Sequence, residues 1–346
     1  DPRDAGAAQP DIWYVVVDRY GRSDTLRRAY GVDNSWFLDG LTDLGFDVAS
    51  RSYANYATSA TSLASTLNLS YLSPAISSSD VDIRVLRSLL EEHRVGGFLR
   101  DQGYEYVHVG NWWQLTRSST NATRVINASR HSEFGQKFLL TTALPRIREV
   151  FGVGGVTDPR RLSRAHSLRQ LEALDRLAVV PSPAPRLVFA HLAIPHEPYV
   201  FDRDGSWVSQ DLAMARGVAD SYSRQLEYLN GRLHRLVTSV LAADDDAVVI
   251  LQADEGPYPE RWNHPDMDWT EASDQELRLK FAILTAIHLP SELSWDVPED
   301  LSPVNTFRLL FDQVFGTELG ALPQRTYLVP DEQSLFDEVE VTGRLH

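Results

Sequence analysis

The chain has 346 residues, enough for one large α/β domain or two ordinary ones. Its net charge of −15 argues against a nucleic-acid partner, because phosphate binding needs clustered lysine and arginine side chains. The absence of cysteine excludes disulfides, thiolate metal ligands and a cysteine nucleophile, and no apolar run reaches the roughly 20 residues of a membrane span.

The first third of the chain predicts repeated βαβ units. Residues 11–18 form a continuous apolar run, which is typical of a strand buried on both faces of a parallel sheet. A short helix is expected next, and then a helix and a strand within 35–49 that a glycine separates. A small-residue helix is predicted over 61–72. Residues 83–110 predict a helix, a turn at Gly103 and a strand.

The rest of the chain continues this alternation after a less regular stretch. Residues 111–165 are predicted to be an irregular insertion or lid. The elements predicted after it are a helix over 162–180, a strand and loop over 186–202, a helix over 212–243, strands over 247–256 and 278–290, and a helix over 302–316.

This order of elements predicts a doubly wound, mostly parallel α/β sheet with helices on both faces. We expect residues 11–330 to form one such domain. Residues 1–10 are predicted to be a flexible leader, and residues 331–346 a C-terminal tail.

Two of the predicted strands end on carboxylates. The first stops at Asp18, and the strand near residue 247 stops at Asp254 and Glu255. Buried charge is costly unless something pairs it, and this edge of an open α/β sheet is where ligands bind. Oxygen donors favour Mg²⁺, Mn²⁺ or Ca²⁺, so the three carboxylates are candidate ligands of one cation. Taken singly, each can equally be a helix cap or a turn residue.

A hydroxyl-rich stretch precedes the predicted helix at 61–72. Thr58 and Ser59 lie where backbone N–H groups and the helix dipole attract an anion. A bound cation can deprotonate such a hydroxyl and make it a nucleophile. The simpler alternative is that one of the two residues only caps the helix.

Histidine and aromatic residues complete the candidate site. His196 lies between prolines at the predicted end of a strand, where it can ligate a metal, hold an anionic oxygen or protonate a leaving group. His191 is nearer the strand interior and is expected to be a satisfied core histidine. Arg22, Trp112 and His264 are candidates for lining a substrate pocket, although each can equally be a packing residue.

In this order the segments resemble the alkaline-phosphatase superfamily. They are most similar to its sulfatase-like hydrolase/transferase branch, which includes lipoteichoic-acid synthases and phosphoethanolamine transferases. The resemblance covers residues 10 to about 311, and it depends on order and spacing rather than on any one motif. The matching segments are PDIWYVVVDRYGR, NYATSATSLASTLNLSYL, FAHLAIPHEPYVFD, LQADEGPYP, LRLKFAILTAIHLP and SPVNTFRLLF.

The resemblance implies a metal-activated Thr, Ser or formylglycine nucleophile. Asp18 matches the family's first metal ligand, and Asp254 matches the Asp of its Asp-His-Gly motif. His196 matches the histidine that contacts the phosphate or sulfate of the substrate. The nucleophile, itself a metal ligand, falls at Ser59, or at Thr58 if the match shifts by one residue.

Two features depart from the family pattern. Glu255 stands where the family usually has His, which shifts the expected cation from Zn²⁺ toward Mn²⁺ or Mg²⁺, with Ca²⁺ and Zn²⁺ as the alternatives. The chain also lacks the Cys-X-Pro-Ser-Arg arrangement of formylglycine sulfatases, and no second set of Asp and His ligands for a two-zinc phosphatase is evident.

We therefore expect a metal-dependent phosphotransferase or phosphodiesterase that acts on cell-envelope lipid or glycan phosphoesters through a covalent phospho-enzyme. The alternatives are a sulfate or phosphate ester hydrolase of the same fold, and an inactive domain that binds a glycan or a protein. The resemblance implies an extracytoplasmic, outward-facing domain of a membrane-anchored bacterial protein. Its membrane proximity would come through a segment outside this chain.

Overall fold

The computed structural model describes residues 9–72, 83–127, 158–263, 267–293, 295–331 and 334–345. The strands are β1 Ile12–Val17, β2 Phe46–Val48, β3 Glu105–Gly110, β4 Arg124–Asn127, β5 Arg186–Leu192, β6 Val248–Gln252, β7 Thr285–His288, β8 Tyr327–Leu328 and β9 Val339–Glu340. The helices are α1 Ser23–Tyr30, α2 Ser35–Asp43, α3 Ser59–Leu67, α4 Ile83–Glu91, α5 Arg94–Asp101, α6 Pro159–Ala178, α7 Gln210–Ala243, α8 Asp274–Phe281 and α9 Pro303–Phe315, and a 3₁₀ turn follows β3 at Gln114–Thr116.

Seven of the described strands form one sheet in the order β2-β7-β6-β1-β5-β3-β4. Strand β1 lies in the middle and pairs in parallel with β5 and β6, and β3 pairs in parallel with β5 and β4. Within this sheet, the antiparallel pairs of described strands are β6–β7 and β7–β2. The sheet therefore confirms the predicted doubly wound, mostly parallel architecture.

Helices cover both faces of the sheet because the buried strands are apolar on both faces. Along β1, Trp13 and Val15 point into a core shared with α1, α2, α6 and α7. Tyr14 and Val16 point into the opposite core, which α3, α4, α5 and α9 complete. This alternation is the two-residue period of a strand. In the part of the chain that the structure describes, no helix has the length and apolar composition that crossing a bilayer requires.

The structure corrects the prediction of a strand over 278–290. Residues Asp274–Phe281 form helix α8, and the strand is limited to β7. The side chain of Ser273 accepts the N–H of Glu276, and the side chain of Glu276 accepts the N–H of Ser273. This capping box begins a helix. The apolar residues that follow it favoured a strand in the sequence analysis.

The predicted insertion and tail both contribute to the main fold. Within the insertion, Arg124–Asn127 is the edge strand β4, and helix α6 already begins at Pro159. Within the tail, β9 pairs with β8, and Leu345 is buried, with its carbonyl accepting the Tyr53 hydroxyl. The predicted domain limits themselves remain a prediction.

A chain of buried hydrogen bonds holds the 3₁₀ turn against β3. The Gly96 N–H donates to His93 Nδ1 at 2.9 Å, so the neutral imidazole carries its hydrogen on Nε2, 2.9 Å from the Tyr106 hydroxyl. That hydroxyl in turn lies 3.0 Å from His108 Nδ1. His108 Nε2 lies 3.0 Å from the carbonyl of Thr116, which can only accept. Every hydrogen in the chain therefore points toward the turn.

The two histidines in this series of hydrogen bonds, His93 and His108, stay neutral in the folded protein. Burial lowers the pKa of His93 to about 3, with help from the charge of His108. Burial also lowers the pKa of His108 to about 4, against the hydrogen bond to Thr116. An unfolded chain protonates both imidazoles below about pH 6.5. At these two imidazoles the unfolded state then binds more protons than the folded state, so their contribution to folding stability falls as the pH falls from about 6.5 toward 4.

We therefore expect the wild type to lose stability relative to His108→Gln as the pH falls from about 6.5 to 4.5, by up to about 1.4 kcal/mol per pH unit in the difference between their free energies of unfolding. Comparing the two proteins isolates His108 from the other groups that titrate in this range, since burial raises the pKa values of Asp18 and Glu255 to about 7 and these two groups contribute in the opposite direction. Urea unfolding at a series of pH values measures it. Between pH 7 and 8 the two proteins should give parallel curves. If the free energy of unfolding depended equally on pH in both proteins below about pH 6.5, His108 would not be neutral in the folded protein.

Candidate functional site

Three neighbouring strands bring Asp18, His191 and Asp254 to one edge of the sheet. His191 in β5 is in register with Val16 in β1, which is also in register with Gln252 in β6. Asp18 and Asp254 each lie two residues beyond their position in this register, at the carboxyl ends of β1 and β6. The parallel pairing thus places the three side chains together, although Asp18 and Asp254 are far apart in the sequence.

The three side chains form a buried group with the composition of a cation site. One ligand atom from each lies within 4.8 Å of those of the other two. Asp18 Oδ1, His191 Nε2 and Asp254 Oδ2 are all buried and make no aligned hydrogen bond with any described residue, although His191 Nε2 lies 3.3 Å from Asp254 Oδ2. Buried polar atoms without partners are costly, and a divalent cation would satisfy all three. The residues present therefore fit a metal.

The pKa values of these groups reflect their burial and mutual contact. Burial, reinforced by the charge of Asp254, raises the pKa of Asp18 to about 7. Burial acts against ionisation of Asp254 as well, but the contact with His191 lowers the pKa of that carboxyl below its usual value. The same contact raises the pKa of His191 in spite of its burial. Asp254 is thus the strand-end carboxylate whose ionised form the site favours most.

Helix α3 presents its first residue to this group. Ser62 Oγ donates to the backbone carbonyl of Asp254 at 2.7 Å, which fixes the helix to the end of β6. The Ser59 side chain lies close enough to the Asp254 carboxylate to help lower its pKa. The Thr58 hydroxyl instead lies 2.9 Å from that of Thr61, one turn along the helix. Of the two predicted nucleophiles, Ser59 is the one in contact with an acidic strand end.

A second cluster, made of cations, surrounds Glu255. Its carboxylate lies 3.1 Å from Arg19 Nε and 2.9 Å from Lys280 Nζ. The ring of Tyr258 is contacted by both cations, with Arg19 Cζ 3.7 Å and Lys280 Nζ 3.5 Å from its centroid. Arg19 also reaches Glu197 at 3.3 Å. Burial lowers the pKa of Lys280 to about 8 against the influence of Glu255.

The structure changes three of the residue predictions. Glu255, expected as a metal ligand, has its two carboxylate oxygens on Arg19 and Lys280 and lies outside the group of candidate ligands. His191, expected to be a satisfied core histidine, is buried but belongs to that group. Arg22, expected in the pocket, instead bonds Asp24 and the backbone carbonyl of Ser52.

A cavity of about 520 Å³ opens onto the site, and its walls include Thr58, Ser59, His191, His196, Glu255 and Trp112. A larger cavity of about 800 Å³ shares only Tyr258 with it and contains none of the candidate ligands. The predicted pocket residue His264 lies outside the described residues. The smaller cavity is therefore the candidate substrate site, because its walls combine two of the candidate ligands, Asp18 and His191, with the hydroxyls and His196.

His196 has a defined protonation state in this cavity. Burial lowers the pKa of its imidazole to about 4, assisted by the charge of Arg19. Its Nδ1 is hydrogen-bonded to the backbone carbonyl of Glu197. Since a carbonyl can only accept, Nδ1 carries the hydrogen, and Nε2 keeps the lone pair. At neutral pH the side chain is thus a proton acceptor rather than a donor at Nε2.

Lys280, Arg19 and Tyr258 are the site residues that the sequence analysis missed. Lys280 lies in a helix that was predicted as a strand, and nothing in its local sequence distinguishes it from a surface lysine. Arg19 directly follows Asp18 and Tyr258 closely follows Glu255. Proximity to the two acidic strand ends was therefore the signal that could have identified these two.

Comparison with solved structures identifies proteins that share this fold. No protein-family model matches the chain, and no curated protein matches it significantly in sequence. The C-terminal periplasmic domain of EptC from Escherichia coli, in complex with Zn, has a TM-score of 0.61 at 13% identity, covering 98% of this chain and 94% of that one. An alkaline phosphatase superfamily protein from Vibrio parahaemolyticus has a TM-score of 0.57 at 13% identity, with coverages of 94% and 74%.

A third solved structure is an integral membrane protein, the lipooligosaccharide phosphoethanolamine transferase EptA from Neisseria meningitidis. Its TM-score is 0.56 at 12% identity, and the match covers 90% of this chain and 56% of that one. At such identities a structural likeness establishes the fold alone. The chain accordingly has the alkaline-phosphatase-like α/β fold that its sequence resemblance implies.

The cation site gives a direct test by stability. A divalent cation that binds only the folded state, at 100 times its Kd, should stabilise the wild type by about 2.7 kcal/mol. We expect Asp18→Asn, His191→Asn and Asp254→Asn to lose most of the rise in Tm that Mn²⁺ or Mg²⁺ produces. Differential scanning calorimetry with and without cation measures the shift.

Two control variants separate the candidate ligands from other acidic groups. Glu172→Gln changes an exposed side chain on α6 and should leave the cation-induced shift unchanged. Glu255→Gln should lower the basal Tm but keep the shift, since the carboxylate is held by Arg19 and Lys280. A shift that disappears in Glu255→Gln and persists in His191→Asn would return Glu255 to the ligand set.

Proposed function

We propose that this protein is a metal-dependent phosphotransferase or phosphodiesterase that acts on cell-envelope lipid or glycan phosphoesters. The observation that carries the proposal is the position of Ser59, at the start of a helix, in contact with Asp254 of the candidate ligand group. A nucleophile beside a cation site in a cavity is the arrangement that phosphoryl transfer requires.

Asp18, His191 and Asp254 would hold the cation. When bound, the cation supplies Lewis acidity, which lowers the pKa of a neighbouring hydroxyl and neutralises charge on phosphoryl oxygens. The two carboxylates of this set support Mn²⁺ or Mg²⁺ over Zn²⁺. Arg19 adds a fixed positive charge at the cavity wall, and the N-terminus of α3 adds the positive end of its dipole.

In the first step Ser59 Oγ attacks phosphorus and forms the P–Oγ bond of a covalent phospho-enzyme. The bond between phosphorus and the oxygen of the leaving alcohol breaks, and that oxygen keeps the electron pair. The hydroxyl proton of Ser59 passes to water in the open cavity, because the neighbouring Asp254 is the carboxylate whose ionised form the site favours most. The developing charge on the phosphoryl oxygens faces Arg19 and the N–H groups at the start of α3.

In the second step an acceptor alcohol, or water, attacks the phospho-enzyme. His196 Nε2 takes the proton of the incoming hydroxyl, because it is the free lone pair of a neutral imidazole. The P–Oγ bond breaks and Ser59 recovers its proton. An alcohol acceptor makes the reaction a transfer, and water makes it a hydrolysis.

Membrane-linked substrates are the class that the comparisons favour. EptA is by name a lipooligosaccharide phosphoethanolamine transferase and an integral membrane protein, and the matched EptC fragment is a periplasmic domain. We accordingly propose that this chain is the outward-facing domain of a membrane-anchored bacterial protein, with anionic lipid or glycan phosphoesters as its substrates.

The nucleophile is tested by paired substitutions. Ser59→Ala should reduce kcat for an activated phosphodiester by at least about 1,000-fold, as the loss of a nucleophile does. Thr58→Val, which keeps the shape of the neighbouring side chain, should stay within about tenfold of the wild type, since its hydroxyl faces Thr61. Intact-protein mass spectrometry after quenching should detect a phosphoryl adduct in the wild type and not in Ser59→Ala. The opposite order of effects would identify Thr58 as the nucleophile.

A substrate panel tests the reaction class. Activated phosphodiester, phosphomonoester and sulfate ester substrates should be turned over in decreasing order. Preference for the sulfate ester or the phosphomonoester would identify a hydrolase of the same fold instead. Cation binding without turnover of any of the three would indicate a binding domain.

A further inference from the structure

The Nδ1 edge of the His191 ring, on the side away from the candidate ligand atoms, faces a second set of polar groups. Its Nδ1 lies 3.1 Å from the hydroxyl oxygen of Thr116 and 3.4 Å from the amide nitrogen of Asn111. The ring of Trp113 packs edge-on against it, with 5.7 Å between centroids. All of these groups belong to the segment that begins after β3 and ends with the 3₁₀ turn. One short segment therefore forms the entire polar environment of Nδ1 among the described residues.

The positions of the hydrogens restrict which of these groups can serve a ligating His191. A histidine that offers its Nε2 lone pair to a cation carries its hydrogen on Nδ1 and needs an acceptor there. The oxygen of Asn111 already accepts the N–H of Trp113 at 2.7 Å, so the amide presents its nitrogen, a donor, to the ring. The Thr116 hydroxyl is then the acceptor available to Nδ1–H.

The Thr116 side chain has little freedom to leave this position. It is buried, with an exposed fraction of 2%, and its backbone carbonyl accepts the hydrogen bond of His108 at 3.0 Å. The chain of fixed hydrogens behind His108 runs through Tyr106 to His93, at the start of α5. Three elements of the fold thus fix the backbone that carries this hydroxyl.

We propose that Thr116 is a positioning residue of the cation site: its hydroxyl accepts the Nδ1–H of His191 and so directs the Nε2 lone pair toward Asp18 and Asp254. This inference rests on the cation site proposed above. Partners of this kind hold the tautomer and ring orientation of a ligating histidine, and losing them typically costs 10- to 100-fold, roughly, in metal affinity.

A matched pair of substitutions tests the hydroxyl. Thr116→Val keeps the branched shape and removes only the polar group, whereas Thr116→Ser keeps the hydroxyl and removes a methyl. With Mn²⁺ as the probe, titration calorimetry should give a Kd about 10- to 100-fold weaker for Thr116→Val and within about threefold of the wild type for Thr116→Ser. A Kd for Thr116→Val equal to that of the wild type, or an equal loss in both variants, would overturn the proposal.

A measurement without metal separates this inference from the proposed function. In ¹⁵N-histidine-labelled protein without metal, with the ten histidines resolved by comparison with His191→Asn, the Nδ1 resonance of His191 should move in Thr116→Val, which loses the hydroxyl 3.1 Å from it. It should stay near the wild-type position in Thr116→Ser. If the wild type binds no cation, the proposed function fails while this spectrum still decides the role of Thr116. An Nδ1 resonance that is unchanged in Thr116→Val would overturn that role.

Discussion

The parallel register of β5, β1 and β6 is the constraint on which the site depends. Because β1 pairs on both sides over nearly its whole length, Asp18, His191 and Asp254 can only emerge at the same edge, whatever the loops do. The strands are buried on both faces, so the edge is also poorly solvated. A low-dielectric environment strengthens the attraction between paired charges and makes an unpaired charge costly. The same constraint that collects the candidate ligands thus leaves them in an environment that favours a cation.

Charge balance explains why Glu255 and Asp254, adjacent in sequence, have different partners. Among the described residues, the buried acidic groups Asp18, Asp254 and Glu255 face two buried cations, Arg19 and Lys280. If Glu255 turned to a divalent cation, both cations would be left beside it without their closest carboxylate, which is a costly arrangement. With Glu255 on the two cations, the remaining negative charge belongs to Asp18 and Asp254, where a divalent cation would complete the balance.

Periodicity and strand-end chemistry predicted most of the fold and part of the site. The apolar runs at 11–18 and 247–256 predicted the central strands, and two of the charges that end them, Asp18 and Asp254, belong to the candidate ligand group. The prediction of a strand over 278–290 was wrong for its first residues, because a capping box at Ser273 begins a helix there in spite of the apolar composition that follows. His191 was missed for a related reason. Its apolar neighbours indicate burial, but a ring has two nitrogens, and only the register with β1 shows that one of them faces the two aspartates.

Two backbone features explain how the acidic ends of β1 and β6 reach their partners. Arg19, directly after Asp18, has φ of 63°, a left-handed conformation rare for a non-glycine residue. The Tyr222 hydroxyl holds it by donating to its carbonyl at 2.7 Å. Gly256, directly after Glu255, donates its N–H to the Lys280 carbonyl at 2.7 Å, and a Cβ there would meet that same oxygen at 2.7 Å. Any side chain at 256 would therefore push the Lys280 backbone away from Glu255. The glycine of the Asp-Glu-Gly sequence is thus required by the close approach of the backbone that carries Lys280, and not by the turn alone.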